Sequence, residues 1–571
     1  MYKLIFGDIS KRDENQLVIL FLTFLVFFFS LTILQSNKSE AYLSYQQIEF
    51  EHVDAKLFAN LYYPTKNIEF QEKKPLVVYV HGLGNDRNFD LHFPIELVKR
   101  GFFVATLDYH GHGQSGGTMF DLNPDTGNLA IYEDVSKLLD KIETLPIYPS
   151  INSSQIALVG HSLGGAIVLM TSIFDDRINA TVALAPLVSH DVIYHPNFEN
   201  NLPVDYLNET NTKNLLIMAH KDDDLLDYED HAVIAQNLTN CSLSIYEGPI
   251  MGGAHLMINN DIITEMISWI EINFFGFING PIEISFMYNY ALLGITFVLL
   301  FGIIFLIISL SSNFFSFQKI EIERIALKYK NQYSIKDKGL RILGIFLACA
   351  TFLAIWTFFS NTFRLAGIFY SSFLLLMIYS AVYLSLYIKN RDSQDTPRIS
   401  LKGKFESRFT QEMKTNYVMY GILASGIFQG FYVVFTVSYP FAFVWPSNLQ
   451  SIITGFMIIP IFLAMELFYR SIIYPLLNFV PSERSKTKII IILSILIQFS
   501  IVYFSRIWVF LPSLIMTYLA FISVLIINSL IYEKNKAISI RLIFSVEILI
   551  FFFGSAITTI FGIDIAIYAL L

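Results

Sequence analysis

The sequence predicts two unlike parts: an α/β domain with a mostly parallel sheet and helices on both faces, and an all-α transmembrane bundle. Three observations predict this. Across residues 44–275, short β-rich runs alternate with helix-period segments, and the runs are nearly continuously apolar, as strands buried on both faces are. Hydrophobic residues make up 54% of the 571, with a mean hydropathy of +0.51, too apolar for a single water-soluble domain. Charge is also divided. Residues 36–286 hold 13 Lys and Arg against 33 Asp and Glu, whereas residues 287–571 hold 23 against 12. The acidic part argues against nucleic acid as a partner. All 11 histidines lie between His52 and His255, which confines histidine chemistry to the α/β part. The two cysteines, Cys241 and Cys349, fall in different halves and exclude a disulfide framework.

Residues 1–15 carry Lys3, Lys11 and Arg12, and Leu17 to Leu34 is then uncharged and strongly apolar, long enough to cross a bilayer. Residues 16–35 are expected to form a signal anchor that stays on the chain, because the stretch exceeds a usual signal core and Ser39-Glu-Ala41 is a poor cleavage site. The preceding basic residues place residues 1–15 in the cytoplasm and residue 36 onward outside. Six Asn-x-Ser/Thr sequons, at Asn37, Asn152, Asn179, Asn208, Asn237 and Asn240, all fall in the segment expected outside.

Strands are expected at Gln47–Glu51, Leu57–Tyr62, Leu76–Val80, Phe102–Asp108, Ile156–Gly160, Thr181–Leu184, Leu215–Met218 and Leu243–Tyr246. Between them, Leu129–Leu145 reads as one helix, with Ile131, Val135, Leu138, Ile142 and Leu145 on one face. Pro186–Asn214 is polar, aromatic-spotted and irregular, and is expected to form a short cap over the site.

Chemistry centres on Ile156-Ala-Leu-Val-Gly-His-Ser-Leu-Gly-Gly-Ala166. A buried strand runs at once into Gly-x-Ser-x-Gly and then a packed helix, the pattern of a nucleophile elbow. The helix starts so close to the strand that a Cβ at Gly160 or Gly164 is expected to clash, and its first N–H groups point at whatever Ser162 attacks. A second literal match, Gly113-Gln-Ser-Gly-Gly117, runs into no helix, so Ser115 is assigned to a flexible loop. A serine needs a base, and the base an orienting carboxylate, in the chain order Ser, acid, His. The strand ending at Met218 leads into His220-Lys-Asp-Asp-Asp-Leu-Leu-Asp-Tyr-Glu229. Three adjacent aspartates cannot all point inward, so one is expected to be oriented and two solvated. His255, in Met251-Gly-Gly-Ala-His-Leu256, precedes an apolar helix expected from Leu256 to Phe275. The backbone N–H groups of Leu163 and Leu83 are the expected oxyanion donors.

The runs Val77-Val-Tyr-Val-His-Gly-Leu-Gly84, Leu107-Asp-Tyr-His-Gly-His-Gly-Gln-Ser115, Val159-Gly-His-Ser-Leu-Gly-Gly165 and Gly253-Ala-His255 resemble, in order, motifs of the α/β-hydrolase superfamily. They are most similar to its monoacylglycerol-lipase and serine-aminopeptidase-like group. The resemblance covers about residues 44–275 and implies a Ser162–His255 pair with Asp223 as the acid. His220 then stands where the family has glycine and Asp227 where it has proline, which keeps Asp222 as the alternative. Esterases, lipases, thioesterases and peptidases share this fold, and no cofactor or metal is expected.

Residues 287–571 predict about eight spans, near 288–311, 340–360, 364–388, 416–442, 451–475, 488–504, 508–532 and 542–569. Alternate linkers are basic and fall on the cytoplasmic side if the α/β part is outside. Met465-Glu-Leu-Phe-Tyr-Arg-Ser-Ile-Ile-Tyr-Pro475 is similar to a motif of CAAX-protease-and-bacteriocin-processing membrane proteins. That family's histidines are missing here, which implies a degenerate, non-catalytic relative. Glu466 and Arg470, four apart, are expected to form a structural pair, and Glu547 is a second intramembrane carboxylate without an obvious partner.

The expectation is therefore a multi-pass protein of the cell membrane. Its extracytoplasmic serine hydrolase would cleave lipid-like or acyl-ester small molecules at the bilayer surface. The rival reading makes the membrane half the working part, binding or moving a lipid or peptide, or makes the hydrolase a peptidase.

Overall fold

The computed structural model describes residues 11–66, 72–83, 85–88, 91–189, 195–250, 253–311, 334–356, 414–438 and 468–504, with isolated positions between 358 and 529. A long helix, α1 (Lys11–Ala41), leads directly into an eight-stranded sheet. Its strands are β1 (Tyr42–His52), β2 (Ala55–Pro64), β3 (Lys74–Val80), β4 (Phe103–Asp108), β5 (Ile151–His161), β6 (Ala180–Leu184), β7 (Leu215–His220) and β8 (Ser242–Tyr246). They lie in the order β1-β2-β4-β3-β5-β6-β7-β8. The β1–β2 and β2–β4 pairings are antiparallel and the rest parallel. Every expected strand is present, most with an added residue or more at an end.

The strands alternate between two cores because successive side chains point to opposite faces. Val77, Tyr79, Val104, Val159 and Val182 pack beneath α2 (His92–Lys99) and α6 (Asn260–Phe275). Leu76, Val78, Ala105, Leu158 and Ala183 pack beneath α3 (Asp134–Glu143), α4 (Leu163–Phe174) and α5 (Ile234–Thr239). Covering both faces is what requires the near-continuous apolar strands. The parallel strands β3, β5 and β7 all end at one edge, and the loops leaving that edge carry Leu83, Ser162 and Asp223.

Two expected helices are shorter. The Leu129–Leu145 segment is a 3₁₀ turn at Ala130–Tyr132 followed by α3, although Ile131, Val135, Leu138 and Ile142 are all buried. The break falls where the Glu133 and Asp134 carboxylates are drawn toward His52 and His110. His255 lies in a 3₁₀ turn, Ala254–Leu256, that ends in Met257, which is left-handed at φ 57, and α6 begins only at Asn260. The Asn259 side chain caps it, accepting from the Asp261 N–H at 2.7 Å. Within Pro186–Asn214, short helical turns at Pro196–Glu199 and Pro203–Asp205 send Phe198 and Leu202 into the core on the α4 side.

Among the described residues three helical stretches, Glu14–Leu34, Phe286–Ser311 and Ile335–Trp356, are long and apolar enough to cross a membrane. We label the helices α7 (Phe286–Ser311), α8 (Ile335–Trp356), α9 (Thr415–Ser438) and α10 (Glu483–Phe504). Helices α1 and α7 are antiparallel neighbours: the Thr296 hydroxyl donates to Ser30 Oγ at 2.9 Å and the Gln16 amide to Ser309 Oγ at 3.5 Å. The junction between domain and α7 is clamped. Arg100 donates from Nε and Nη2 to the buried Glu271 carboxylate at 2.7 and 2.9 Å and from Nη1 to the Pro281 carbonyl at 2.8 Å. The Ser285 N–H donates to Glu96 Oε1 at 2.9 Å.

The expected spans at 288–311, 340–360, 416–442 and 488–504 overlap α7 to α10. Those at 364–388, 451–475, 508–532 and 542–569, and Glu547, fall wholly or largely outside the described residues. Glu466 and Arg470 do meet, Nε to Oε2 at 3.5 Å, and Arg470 also donates to Ser529 Oγ at 3.0 Å.

Candidate active site

Strand β5 ends at His161 and α4 starts at Leu163, so Ser162 alone makes the turn. It sits at φ 57, ψ −117, a strained conformation for a residue with a Cβ. Its neighbours explain the glycines. A Cβ on Gly160 would overlap the Gly164 carbonyl, and one on Gly164 would overlap the Val80 carbonyl of β3. Two bonds hold the turn: the Ser162 N–H donates to the Leu184 carbonyl at 2.9 Å, and the Leu187 N–H donates to the Ser162 carbonyl at 3.1 Å.

The Ser162 hydroxyl lies 2.9 Å from His255 Nε2, and His255 Nδ1 lies 2.8 Å from Asp223 Oδ2. A carboxylate only accepts, so Nδ1 carries the proton and Nε2 is free to accept from the serine. Asp223 is 5% exposed, and its Oδ1 accepts the N–H groups of Leu225 and Leu226, each at 3.0 Å. Burial works against its charge, but the His255 hydrogen bond and these N–H groups outweigh that and hold the carboxyl below its usual range. The neighbouring Asp222 and Asp224 are exposed. The alternative acid, Asp222, thus stands away from His255 while Asp223 meets it.

Leu163 opens α4, so its N–H is among those a helix leaves without an internal acceptor. Leu83 sits half-buried in the turn after β3. The loop behind it is organised by Asp108 at the end of β4, whose carboxylate accepts the Arg87 N–H at 2.6 Å and the Gln114 N–H at 2.9 Å and pairs with the Arg87 guanidinium. His81, stacked on Tyr109 at 4.6 Å, is pushed down to about 3 by burial and stays neutral. Ser115 is not in a flexible loop. It is 9% exposed, its hydroxyl donates to the Asp108 carbonyl at 2.6 Å, and its Oγ accepts the Phe58 N–H at 3.0 Å. The hydroxyl ties the β4 exit to β2, a role visible only once β2 and β4 are paired.

Sequence reasoning passed over two groups. His161 and His220 contact the loop that carries His255, and His161 lies inside the elbow motif itself. Away from the elbow, His52 Nδ1 and His110 Nδ1 both reach Asp134 Oδ1, at 2.7 and 2.8 Å, and all three side chains are buried. Donor spacings this short are those of hydrogen bonds. Two ligands of a tetrahedral zinc ion at about 2.0 Å would stand roughly 3.3 Å apart. Burial disfavours the charged His52 ring, but the Asp134 and Glu133 carboxylates outweigh it and hold His52 up at about 9.

Residues 71–201 match the family model described as serine aminopeptidase, S33. The quorum-quenching protein AidA of Acinetobacter baumannii (strain MDR-ZJ06) is 28% identical over 143 residues, covering 24% of this chain and 43% of that protein. Platelet-activating factor acetylhydrolase of Cavia porcellus is 27% identical over 154 residues, covering 20% of this chain and 35% of that protein. The chain spans less than half the length of these curated relatives. Among solved structures, a Mycobacterium tuberculosis puromycin-hydrolyzing peptidase aligns at 19% identity with a TM-score of 0.35, covering 43% of this chain and 41% of that one. The sheet and the family match define the class. Over residues 71–201 the chain carries a serine aminopeptidase S33-like α/β-hydrolase domain.

Proposed function

We propose that the protein is a membrane-anchored serine hydrolase acting on acyl esters, lipid-like ones included, at the extracytoplasmic surface of the bilayer. The observation that carries this is the Ser162–His255–Asp223 relay, with contacts of 2.9 and 2.8 Å. Ser162 Oγ attacks the acyl carbonyl as its proton passes to His255 Nε2, and Asp223 steadies the imidazolium through Nδ1–H. The N–H groups of Leu83 and Leu163 receive the oxyanion. The C–O bond to the leaving group breaks, the alkoxide takes the proton from Nε2, and Ser162 retains the acyl group as an ester. Water, deprotonated by His255, then attacks that ester and releases the acid.

Three features support anchoring on the outer side. Lys3, Lys11 and Arg12 lie ahead of the apolar stretch Leu17–Leu34, an apolar helix flanks the domain at each end, and the antiparallel α1–α7 pairing is that of a chain which leaves and re-enters the bilayer on one side. An acyl ester is favoured by the acetylhydrolase relative, whereas the family model's name keeps a peptide substrate as the comparison to run.

The test is labelling of intact cells with a membrane-impermeant fluorophosphonate, set beside Ser162→Ala. A Ser162-dependent adduct on intact cells is expected. Absence of any such adduct, even after lysis, overturns the catalytic assignment, and labelling only after lysis overturns the orientation. A panel of acyl esters against aminoacyl amides then decides the substrate class.

A further inference from the structure

Two buried histidines outside the Ser162–His255–Asp223 relay grip the loop that carries His255. His161, beside the nucleophile, brings Nε2 to 2.7 Å from the backbone carbonyl of His255 itself. A carbonyl only accepts, so His161 donates from Nε2. Its Nδ1 lies 3.0 Å from where a Cβ on Gly82 would stand, so the missing side chain at Gly82 leaves room for the ring. His220, fully buried at the end of β7, donates from Nε2 to the Gly248 carbonyl at 2.9 Å. Its Nδ1 accepts the Asp222 N–H at 3.0 Å. Both contacts of His220 are satisfied at once only by the neutral Nε2–H tautomer.

We propose that His161 and His220 are positioning residues that hold the His255 loop between the nucleophile turn and the acid loop. The inference rests on reading Ser162, His255 and Asp223 as the catalytic set. The loop after β8 needs such ties. Gly248 and Gly253 sit at φ 93 and 113, where glycine alone is comfortable and where the unrestrained chain has most freedom. A side-chain rotamer can turn the imidazole of His255 but cannot move its Cα. The distance to Ser162 therefore depends on the backbone at residue 255, and His161 holds the carbonyl of that residue. His220 acts at the other end of the loop. One ring nitrogen holds the Gly248 carbonyl and the other the Asp222 N–H, next to Asp223, so one ring touches both the strand exit that carries the acid and the start of the loop that leads to the base. Through His161 the base is referenced to the serine, and through His220 to the carboxylate.

The test is steady-state hydrolysis of a short-chain p-nitrophenyl ester by the full-length protein in membranes. It compares the wild type with Ser162→Ala, His161→Ala, His161→Gln, His220→Ala and His220→Gln. The alanine variants are expected to lose about ten- to a hundredfold in kcat with KM nearly unchanged, because ground-state binding is untouched while alignment is lost. Glutamine, whose amide NH₂ can stand in for Nε2–H, is expected to recover most of that rate. Wild-type kcat in the alanine variants overturns the inference, as do glutamine variants no better than alanine at equal melting temperature. If an alanine variant does not fold, His→Gln is compared with His→Asn, whose shorter amide stops short of the carbonyl, and equal rates overturn the inference. A wild type with no Ser162-dependent turnover overturns the catalytic assignment beneath it instead.

Discussion

Asp223 differs from Asp222 and Asp224 only in its surroundings. Two backbone N–H groups and the His255 ring converge on it, while its neighbours face water. Asp223→Asn is expected to lower kcat about 10³–10⁴-fold, since the amide presents the wrong group to Nδ1–H. Asp222→Asn is expected to leave kcat close to the wild type, because the Asp222 contact to His220 is made by its backbone N–H. Ester turnover by the two variants checks this, and a larger loss in Asp222→Asn would reverse the assignment. At this scale the sequence was legible where a residue type carries its own geometric need. Ser162 between Gly160 and Gly164 was such a place, and the overlaps that a Cβ would make there bear out the argument. It was not legible for Ser115, whose flanking glycines look the same but whose hydroxyl bridges Asp108 and Phe58.

At the scale of elements, the β5–α4 turn depends on how closely α4 approaches β3. Gly164→Ala would drive a methyl into the Val80 and His81 carbonyls, neither of which can rotate away. A loss of about 3 kcal/mol or more in unfolding free energy is expected, the upper range for overpacking. Chemical denaturation measures it, and unchanged stability would mean the elbow is looser than its geometry. The link between β1 and α3 is electrostatic. His52 is held up at about 9 from 6.5 by Asp134 and Glu133, so its contribution is complete below about pH 6.5 and lost as the pH rises through 9. Glu133 is held down at about 2 from 4.5, so its contribution is present above 4.5 and lost as the pH falls toward 2. Melting temperature is expected to fall between pH 6.5 and 9 in the wild type and to stay flatter there in His52→Gln. Parallel profiles would remove His52 as the cause. Strand placement was readable because burial on both faces leaves a continuous apolar run. The start of α3 was not, because His52 and His110 that draw on it are distant in sequence, and the start of α6 was not, because an apolar pattern does not reveal the left-handed Met257 that delays it.

At the scale of the whole molecule, buried polar groups help tie the α/β domain to the helix that follows it, among the described residues. Arg100 and Glu271 form a two-pronged pair on the inner side of the junction, and Arg100 also holds the backbone that leads to α7. Arg100→Met strands the Glu271 carboxylate in the interior and is expected to cost about 3–5 kcal/mol. The double variant Arg100→Met/Glu271→Met is expected to recover much of that, because no unpaired charge remains. Thermal unfolding of both variants checks this, and equal loss in the two would show that the junction depends on the shape of the pair and not on its charge.

By itself the sequence determined the strand set, the N-terminal apolar helix and the serine on its turn. These are local: each follows from residue types within a short window, through hydrophobic periodicity or a steric need for glycine. Only the tertiary structure brought Asp223 rather than Asp222 to His255, made Ser115 a tie between strands, and set His161 and His220 against the His255 loop. Those outcomes are hydrogen bonds between segments as much as 94 residues apart. A hydrogen bond is decided by where two backbones pass each other, which chain order constrains but does not fix.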